Sequence, residues 1–71
     1  MELSKGEIKT KYKIIKVDGN NRRLFEFGFW IGTTLQVLCF SPKRQSMLIC
    51  IGDGMVALRL DLASCVDVEL V

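Results

Sequence analysis

The side chains of this 71-residue chain that could ligate a metal or act in catalysis are three cysteines and eight acids. The chain has no histidine, so the usual proton carrier near neutral pH is missing and no Ser-His-Asp or Cys-His arrangement can form. The closest pair of acids, Asp67 and Glu69, has strand spacing on a predicted solvent face. We therefore expect that the chain is not an enzyme.

The cysteines are Cys39, Cys50 and Cys65, each within an apolar segment and none in a C-x-x-C pair. Structural zinc sites usually have closely spaced ligand pairs. We interpret the three residues as reduced, buried, small hydrophobic side chains, with no metal or other cofactor. Metal sensing by three cysteines gathered in space is the alternative. Reduced thiols and the lack of a secretory or membrane-spanning segment predict a cytoplasmic protein.

The aromatic residues are concentrated in the segment 24–32, LFEFGFWIG, which holds the only tryptophan. Its first residues predict a short helix that Leu24 and Phe27 fasten to the core and that Gly28 ends. The remaining apolar residues either belong to the core or form an exposed surface that binds a protein partner. They are Phe25, Phe29, Trp30 and Ile31, with Arg22, Arg23 and Glu26 at the rim. The sequence favours the two interpretations about equally.

A basic run, 9–16, is the second candidate for binding. Four of its residues are lysines and Tyr12 lies among them, so it could contact nucleic acid or an anionic surface. A single aromatic residue and a net charge of only +2 make nucleic acid the weaker hypothesis.

The elements that must position these residues follow from hydrophobic alternation and turn formers. A helix is expected over 22–28, capped by Asn20 or Asn21, and a Gly52-Asp53-Gly54 hairpin follows the third strand. Residues 1–10 lack periodicity and are expected at the surface, partly frayed. Strands are predicted over 11–18, 33–40, 47–51, 55–60 and 65–70, with a helical turn over 61–64. Five short strands and one short helix predict a single all-β domain, 1–71, folded as a small barrel.

The alternation also predicts which side chains share a face of each strand. Ile15 and Val17 are expected on one face of the first strand, opposite Tyr12 and Ile14. On the second strand the predicted common face is Leu35, Val37 and Cys39. On the fifth strand the predicted inward residues are Val66, Val68 and Leu70.

Several of these segments together resemble the ferrous iron transport protein A (FeoA) family. The matching patterns are R-L-F-E-F-G-F-x-x-G at 23–32, T-L-Q-V at 34–37, G-x-x-A-L-R at 54–59 and A-x-x-V-x-V at 63–68. The resemblance implies an SH3-like barrel of five strands in the bacterial cytoplasm, in which Gly28, Gly32 and Gly54 are structural. FeoA-like domains also occur at the C-terminus of metal-dependent transcriptional regulators. Because the chain starts at Met1, we expect no preceding DNA-binding domain and therefore a free-standing accessory protein.

The resemblance further implies the partner: FeoB, a membrane transporter for Fe²⁺ with a cytoplasmic GTPase domain. We expect a protein contact that modulates the transporter at the inner face of the membrane, without membrane insertion and without a small-molecule substrate. The loop 41–46 adds two cations near a turn. The predicted partner-binding residues are Phe25, Phe29, Trp30, Lys43 and Arg44.

Overall fold

The computed structural model describes residues 1–19 and 22–71 and contains a five-stranded antiparallel sheet with strand order β4-β3-β2-β1-β5. The elements are a 3₁₀ turn Leu3–Lys5, β1 Thr10–Val17, α1 Arg22–Glu26, β2 Thr34–Phe40, β3 Ser46–Ile51, β4 Gly54–Arg59, α2 Leu60–Ala63 and β5 Val66–Leu70. This confirms the predicted mostly β fold, and α2 lies at the predicted helical turn 61–64, shifted by one residue. The predicted helix cap, Asn20 or Asn21, lies outside the described residues. Neither helix in the described ranges has the length and apolar character of a membrane span.

The first strand changes its inward face at a bulge. Tyr12 and Ile14 are buried, and the pairing of β1 with β5 shifts between Ile14 and Lys16. The shift turns the Ile15 side chain to solvent and lets Val17 pack against the core. The prediction that Ile15 and Val17 share a face is therefore wrong, because a bulge adds a residue that strict alternation does not count.

A second bulge lies in β2, where the pairing with β3 shifts between Val37 and Cys39. Leu35 and Val37 are buried as predicted, but Cys39 is exposed, and Phe40 instead packs against the core. The expectation of three buried cysteines is wrong for Cys39. The thiols of Cys50 and Cys65 are free and only partly buried.

The core lies inside the curved sheet and is closed by side chains from both helices and the N-terminal segment. Leu70 pairs with the buried Tyr12 and so lies on the predicted face of β5, but it is 71% exposed because β5 extends beyond the core at its last residues. The buried apolar residues are Leu3, Tyr12, Ile14, Leu24, Phe29, Leu35, Val37, Met47, Ile49, Ile51, Leu58, Ala63, Val66 and Val68.

The N-terminal segment is bonded to the sheet, and the expectation that it is frayed is wrong. The Leu3 side chain is fully buried. The Val68 N–H donates to the Met1 carbonyl (2.8 Å), and the Met1 amino group donates to the Val68 carbonyl (3.1 Å). Glu2 forms an isolated β-bridge with Asp67. The segment thus covers the outer edge of β5 and supplies one core side chain.

The β3–β4 hairpin turns one residue earlier than the Asp-Gly pattern predicts. Ile51 pairs with Gly54, so the two-residue turn is Gly52-Asp53. Gly52 has φ +59° and Gly54 is the first strand residue. A positive φ at the first turn position is a type II′ feature, which glycine adopts without strain.

Candidate partner-binding surface

Phe25 of α1 and Trp30 of the segment after it form an aromatic pair that is partly exposed. The rings of Phe25 and Trp30 are stacked with centroids 5.1 Å apart and an interplanar angle of 29°. Trp30 is 55% exposed and the adjacent Ile31 is 70% exposed, whereas Phe25 is half-buried. We call Phe25, Trp30 and Ile31 the aromatic surface.

A Schellman motif at the end of α1 separates the core aromatic residue from the exposed ones. Gly28 has φ +93°, its N–H donates to the Phe25 carbonyl (3.1 Å), and the Phe29 N–H donates to the Leu24 carbonyl (2.9 Å). In this motif the residue after the glycine packs against the residue five positions before it. Both Phe29 and Leu24 are fully buried.

This geometry corrects two predictions. Phe29 was predicted to contact a partner, but its side chain is fully buried and cannot do so in this conformation. Phe27 was predicted to fasten the helix to the core, but it is 42% exposed. The sequence did carry the relevant signal: an apolar residue, a glycine four positions later and another apolar residue directly after it form the hydrophobic pattern of a Schellman motif.

A tight turn then presents Trp30 and Ile31. The Thr33 N–H donates to the Trp30 carbonyl (3.0 Å), and Gly32 at the third position has φ +93°, as a type II turn requires. The turn is fixed to β1, because the Gly32 N–H donates to the Ile14 carbonyl (2.7 Å) and the Ile14 N–H donates to the Thr33 carbonyl (2.9 Å). The aromatic surface is therefore held by backbone bonds at both of its ends.

The charges beside the aromatic surface are mainly positive. Arg22 and Arg23 begin α1 and are exposed, and Glu26 is the one acid of that helix. Within residues 1–19 and 22–71, side-chain ion pairs form only between Lys16 and Asp18 and between Arg59 and Asp61. The two arginines of α1 are thus available to an acidic group of another molecule.

Lys43 and Arg44 lie at the other end of β2. Both are exposed, and the Arg44 guanidinium carbon is 4.0 Å from the centroid of the Phe40 ring, a cation–π contact. Ser41 stabilises this loop, since its hydroxyl oxygen accepts from the N–H groups of Gln45 (3.0 Å) and Ser46 (3.1 Å). A seven-residue strand spans roughly 20 Å and separates this loop from Trp30. The structure therefore places Phe25 and Trp30 together, Lys43 and Arg44 together elsewhere, and Phe29 in the core.

The structure does not support the two other candidate sites, the basic run 9–16 and the three cysteines. Tyr12, the one aromatic residue of the basic run, is buried, and its hydroxyl oxygen accepts from the Glu7 N–H (2.9 Å). It is not exposed for stacking on a base.

The part of the chain that the structure describes contains no group of three or more Cys, Asp or Glu that could hold a metal ion. Metal sensing by the three cysteines gains no support from this geometry.

Comparison with solved structures finds the same fold in several bacterial proteins. The iron(II) transport protein A of Clostridium thermocellum superposes with a TM-score of 0.94 at 23% identity, over all of this chain and 46% of that chain. The FeoA protein of Chlorobium tepidum gives 0.89 at 23% identity, over 99% of this chain and 70% of that one. This chain thus spans less than half the length of the Clostridium protein.

A third solved structure is the zinc complex of Stenotrophomonas maltophilia FeoA. It superposes with a TM-score of 0.83 at 29% identity, over 97% of this chain and 89% of that chain. That protein is described as a prokaryotic SH3 domain protein and as a candidate ferrous iron transport activating factor. The five antiparallel strands of the present chain therefore form an SH3-like barrel, as the sequence resemblance implied.

No curated protein matches the chain. The FeoA domain family matches residues 1–70, almost the whole sequence. The chain therefore belongs to the FeoA family, whose solved members are described as ferrous iron transport proteins.

Proposed function

We propose that this protein is an accessory factor of ferrous iron import that binds the cytoplasmic part of a FeoB-type transporter and modulates it. Family membership supports the link to iron transport. The proposed contact is the aromatic surface, and the protein would work in the cytoplasm at the inner face of the membrane, held there by its partner. The observation that carries the choice of surface is the exposed Phe25–Trp30 stack.

The stack has the properties of a binding hot spot. Tryptophan and arginine are enriched among residues that dominate protein–protein binding energy, and a rigid aromatic pair loses little conformational entropy on binding. Trp30 is 55% exposed in the free protein, so a partner can remove much of its apolar area from water. The backbone bonds on both sides hold the turn, and the stack on Phe25 orients the Trp30 ring before binding.

Charge adds selectivity to this contact. Arg22 and Arg23 at the start of α1 favour an acidic group on the partner beside an apolar pocket for Trp30. Lys43 and Arg44 lie roughly 20 Å away along β2, so they would take part only as a separate, peripheral contact of a partner that spans the barrel. Exposed peripheral charges mainly change the association rate and the salt dependence.

Calorimetric titration of the wild-type protein with the isolated cytoplasmic domain of FeoB tests the proposal. Trp30→Ala is expected to weaken binding by about 2 kcal/mol, or roughly 30-fold, because the variant removes the centre of the contact. Leu70→Ala is the matched control, since Leu70 is also a large, exposed apolar residue but lies at the end of β5. Its affinity should stay at the wild-type value.

Two results would contradict the proposal. The first is no measurable binding by the wild-type protein at millimolar concentration. The second is unchanged affinity of a Trp30→Ala variant whose circular dichroism spectrum shows that it is folded. A Lys43→Glu, Arg44→Glu double variant separates the two surfaces: its loss should depend on salt and add to the loss from Trp30→Ala, since the sites share no contact.

A further inference from the structure

One edge of the sheet is covered by another segment of the chain, and the other edge is not. The outer edge of β5 is covered by the N-terminal segment through the Met1–Val68 bonds and the Glu2–Asp67 bridge. The outer edge of β4 has no strand beside it among residues 1–19 and 22–71. An uncovered edge offers unpaired N–H and C=O groups to another strand.

The alternation of hydrogen-bonded and non-bonded pairs in the β3–β4 hairpin identifies which backbone groups of β4 face away from β3. The Leu60 N–H donates to the Gln45 carbonyl (3.0 Å), so Leu60 and Gln45 form a hydrogen-bonded pair. Bonded and non-bonded pairs alternate along an antiparallel ladder. The register Ser46↔Arg59 to Ile51↔Gly54 is unbroken, so the non-bonded pairs are those of Met55, Ala57 and Arg59. The N–H and C=O groups of these three residues point away from β3.

Natural edge strands usually carry a bulge, a proline or an inward-pointing charge that prevents pairing. Bulges interrupt the β1–β5 and β2–β3 ladders, whereas the β3–β4 register is regular. The strand sequence, GMVALR, has no proline and its only charge is Arg59 at the end. Met55, in the same strand, is 67% exposed. The edge of β4 therefore lacks the features that block strand addition.

We propose that the β4 edge pairs with the β4 edge of a second copy of this chain, antiparallel, around a two-fold axis at Ala57. In this register Ala57 lies opposite Ala57 of the second copy, and Met55 lies opposite Arg59 of the second copy. All three positions have outward-facing backbone groups. Each N–H of one strand therefore lies opposite a C=O of the other strand. About six hydrogen bonds can form across the axis.

The side chains are compatible with this register, which favours a second copy as the occupant. The small Ala57 side chain allows close approach at the axis. Arg59 lies beside Met55 of the other copy, where its hydrocarbon stem can pack on the thioether and its charge stays in water. No like charges face each other between 55 and 59, and pairing ends there because α2 begins at Leu60. The strand is thus self-complementary in hydrogen bonding, size and charge.

The contact is short, so the dimer should be weak, with a dissociation constant on the order of 100 µM. Amide hydrogen exchange by NMR is suited to this range and locates the contact. In dilute protein, the amides of Val56, Leu58 and Leu60 should be protected and those of Met55, Ala57 and Arg59 should exchange fast. Raising the concentration to millimolar should slow exchange at the second set alone, while sedimentation velocity shows a rise toward the dimer mass.

Ala57→Lys is the variant that tests the pairing of the two β4 edges. It places two ammonium groups opposite each other at the axis, and its side chain stays on the exposed face of β4. The variant should stay folded, sediment as a monomer at millimolar concentration and lose the concentration-dependent protection. Ile8→Lys is the control, because it adds the same charge at an exposed apolar residue outside the sheet. It should dimerise as the wild-type protein does.

Three outcomes would overturn the inference. One is a wild-type protein that sediments as a monomer at millimolar concentration with unprotected edge amides. Another is undiminished association of a folded Ala57→Lys variant, which would assign the contact to another surface. The third is protection of the edge amides only when the cytoplasmic domain of the transporter is added, which would assign the edge to a strand of that domain. Ala57→Pro repeats the test without a charge, since it removes an N–H that makes no bond within the monomer.

Discussion

Leu3→Ala tests whether the N-terminal segment is part of the folded domain. The Leu3 side chain is 0% exposed and lies in the same core cluster as Tyr12 and Val37. Removing a fully buried leucine side chain down to Cβ costs about 3 kcal/mol, through lost transfer free energy and the cavity that remains. A domain of this length has a free energy of unfolding of about 4 to 11 kcal/mol. The variant should therefore lose a large fraction of the total stability.

Urea and thermal unfolding followed by far-ultraviolet circular dichroism measure this loss. For a domain of this size, about 3 kcal/mol corresponds to a decrease in Tm of roughly 12 to 24 °C. Ile8→Ala is the matched control, because Ile8 is a neighbouring apolar residue with 52% exposure. Its cost should be below about 0.5 kcal/mol.

A loss below about 1 kcal/mol for Leu3→Ala would refute this reasoning. It would mean that residues 1–5 detach from β5 with little change in free energy. The β-bridge between Glu2 and Asp67 would then contribute no net stability. Equal losses for Leu3→Ala and Ile8→Ala would also contradict the assignment of Leu3 to the core.

The remaining predictions concern two close contacts of Tyr12. A Cβ at the buried Gly6 would lie 3.2 Å from Tyr12 Cε2 and 3.1 Å from the Leu3 carbonyl oxygen, so Gly6→Ala should cost about 1–3 kcal/mol in urea unfolding. Gly54→Ala meets no atom within 4 Å, so it should be neutral or stabilise by up to about 1 kcal/mol; equal losses for both variants would contradict the steric argument. Tyr12→Phe removes the acceptor of the Glu7 N–H and should cost about 1–2 kcal/mol, whereas an unchanged urea midpoint would show that water replaces the hydroxyl.

The strands were predictable where alternation continues without interruption. On β3 the buried residues Met47, Ile49 and Ile51 are those that a period of two indicates, and β4 follows the same rule at Leu58. The assignments fail after each bulge, at Ile15 and at Cys39. A bulge is decided by how two strands fit together across the sheet, and this information is not contained in the pattern of a single strand.

The N-terminal segment was mispredicted for a related reason. Its attachment depends on main-chain bonds of Met1 and on one buried side chain, Leu3, and neither produces a periodic pattern. Gly6 contributes by its lack of a side chain, which lets the chain pass close to Tyr12. Such close backbone contacts depend on the tertiary fold.

The candidate site was predictable in position and only partly in composition. The aromatic segment does form an exposed surface, with Trp30 at its centre and Phe25 beside it. Phe29 was assigned to the surface by its residue type, whereas the Schellman pattern of Leu24, Gly28 and Phe29 places it in the core. The cations of the 41–46 loop were grouped with the aromatic residues by chemical type, and the length of β2 separates them.

The place of the single tryptophan decides what fluorescence can report about this molecule. Trp30 is the only indole in the chain, and it lies at a solvated turn instead of in the core. Its emission in the native state should therefore already resemble that of an indole in water, and unfolding should change the wavelength little. Loss of the Phe25 stack would change mainly the intensity. An indole at this position is thus a weak indicator of global unfolding and a sensitive indicator of any molecule that covers the turn.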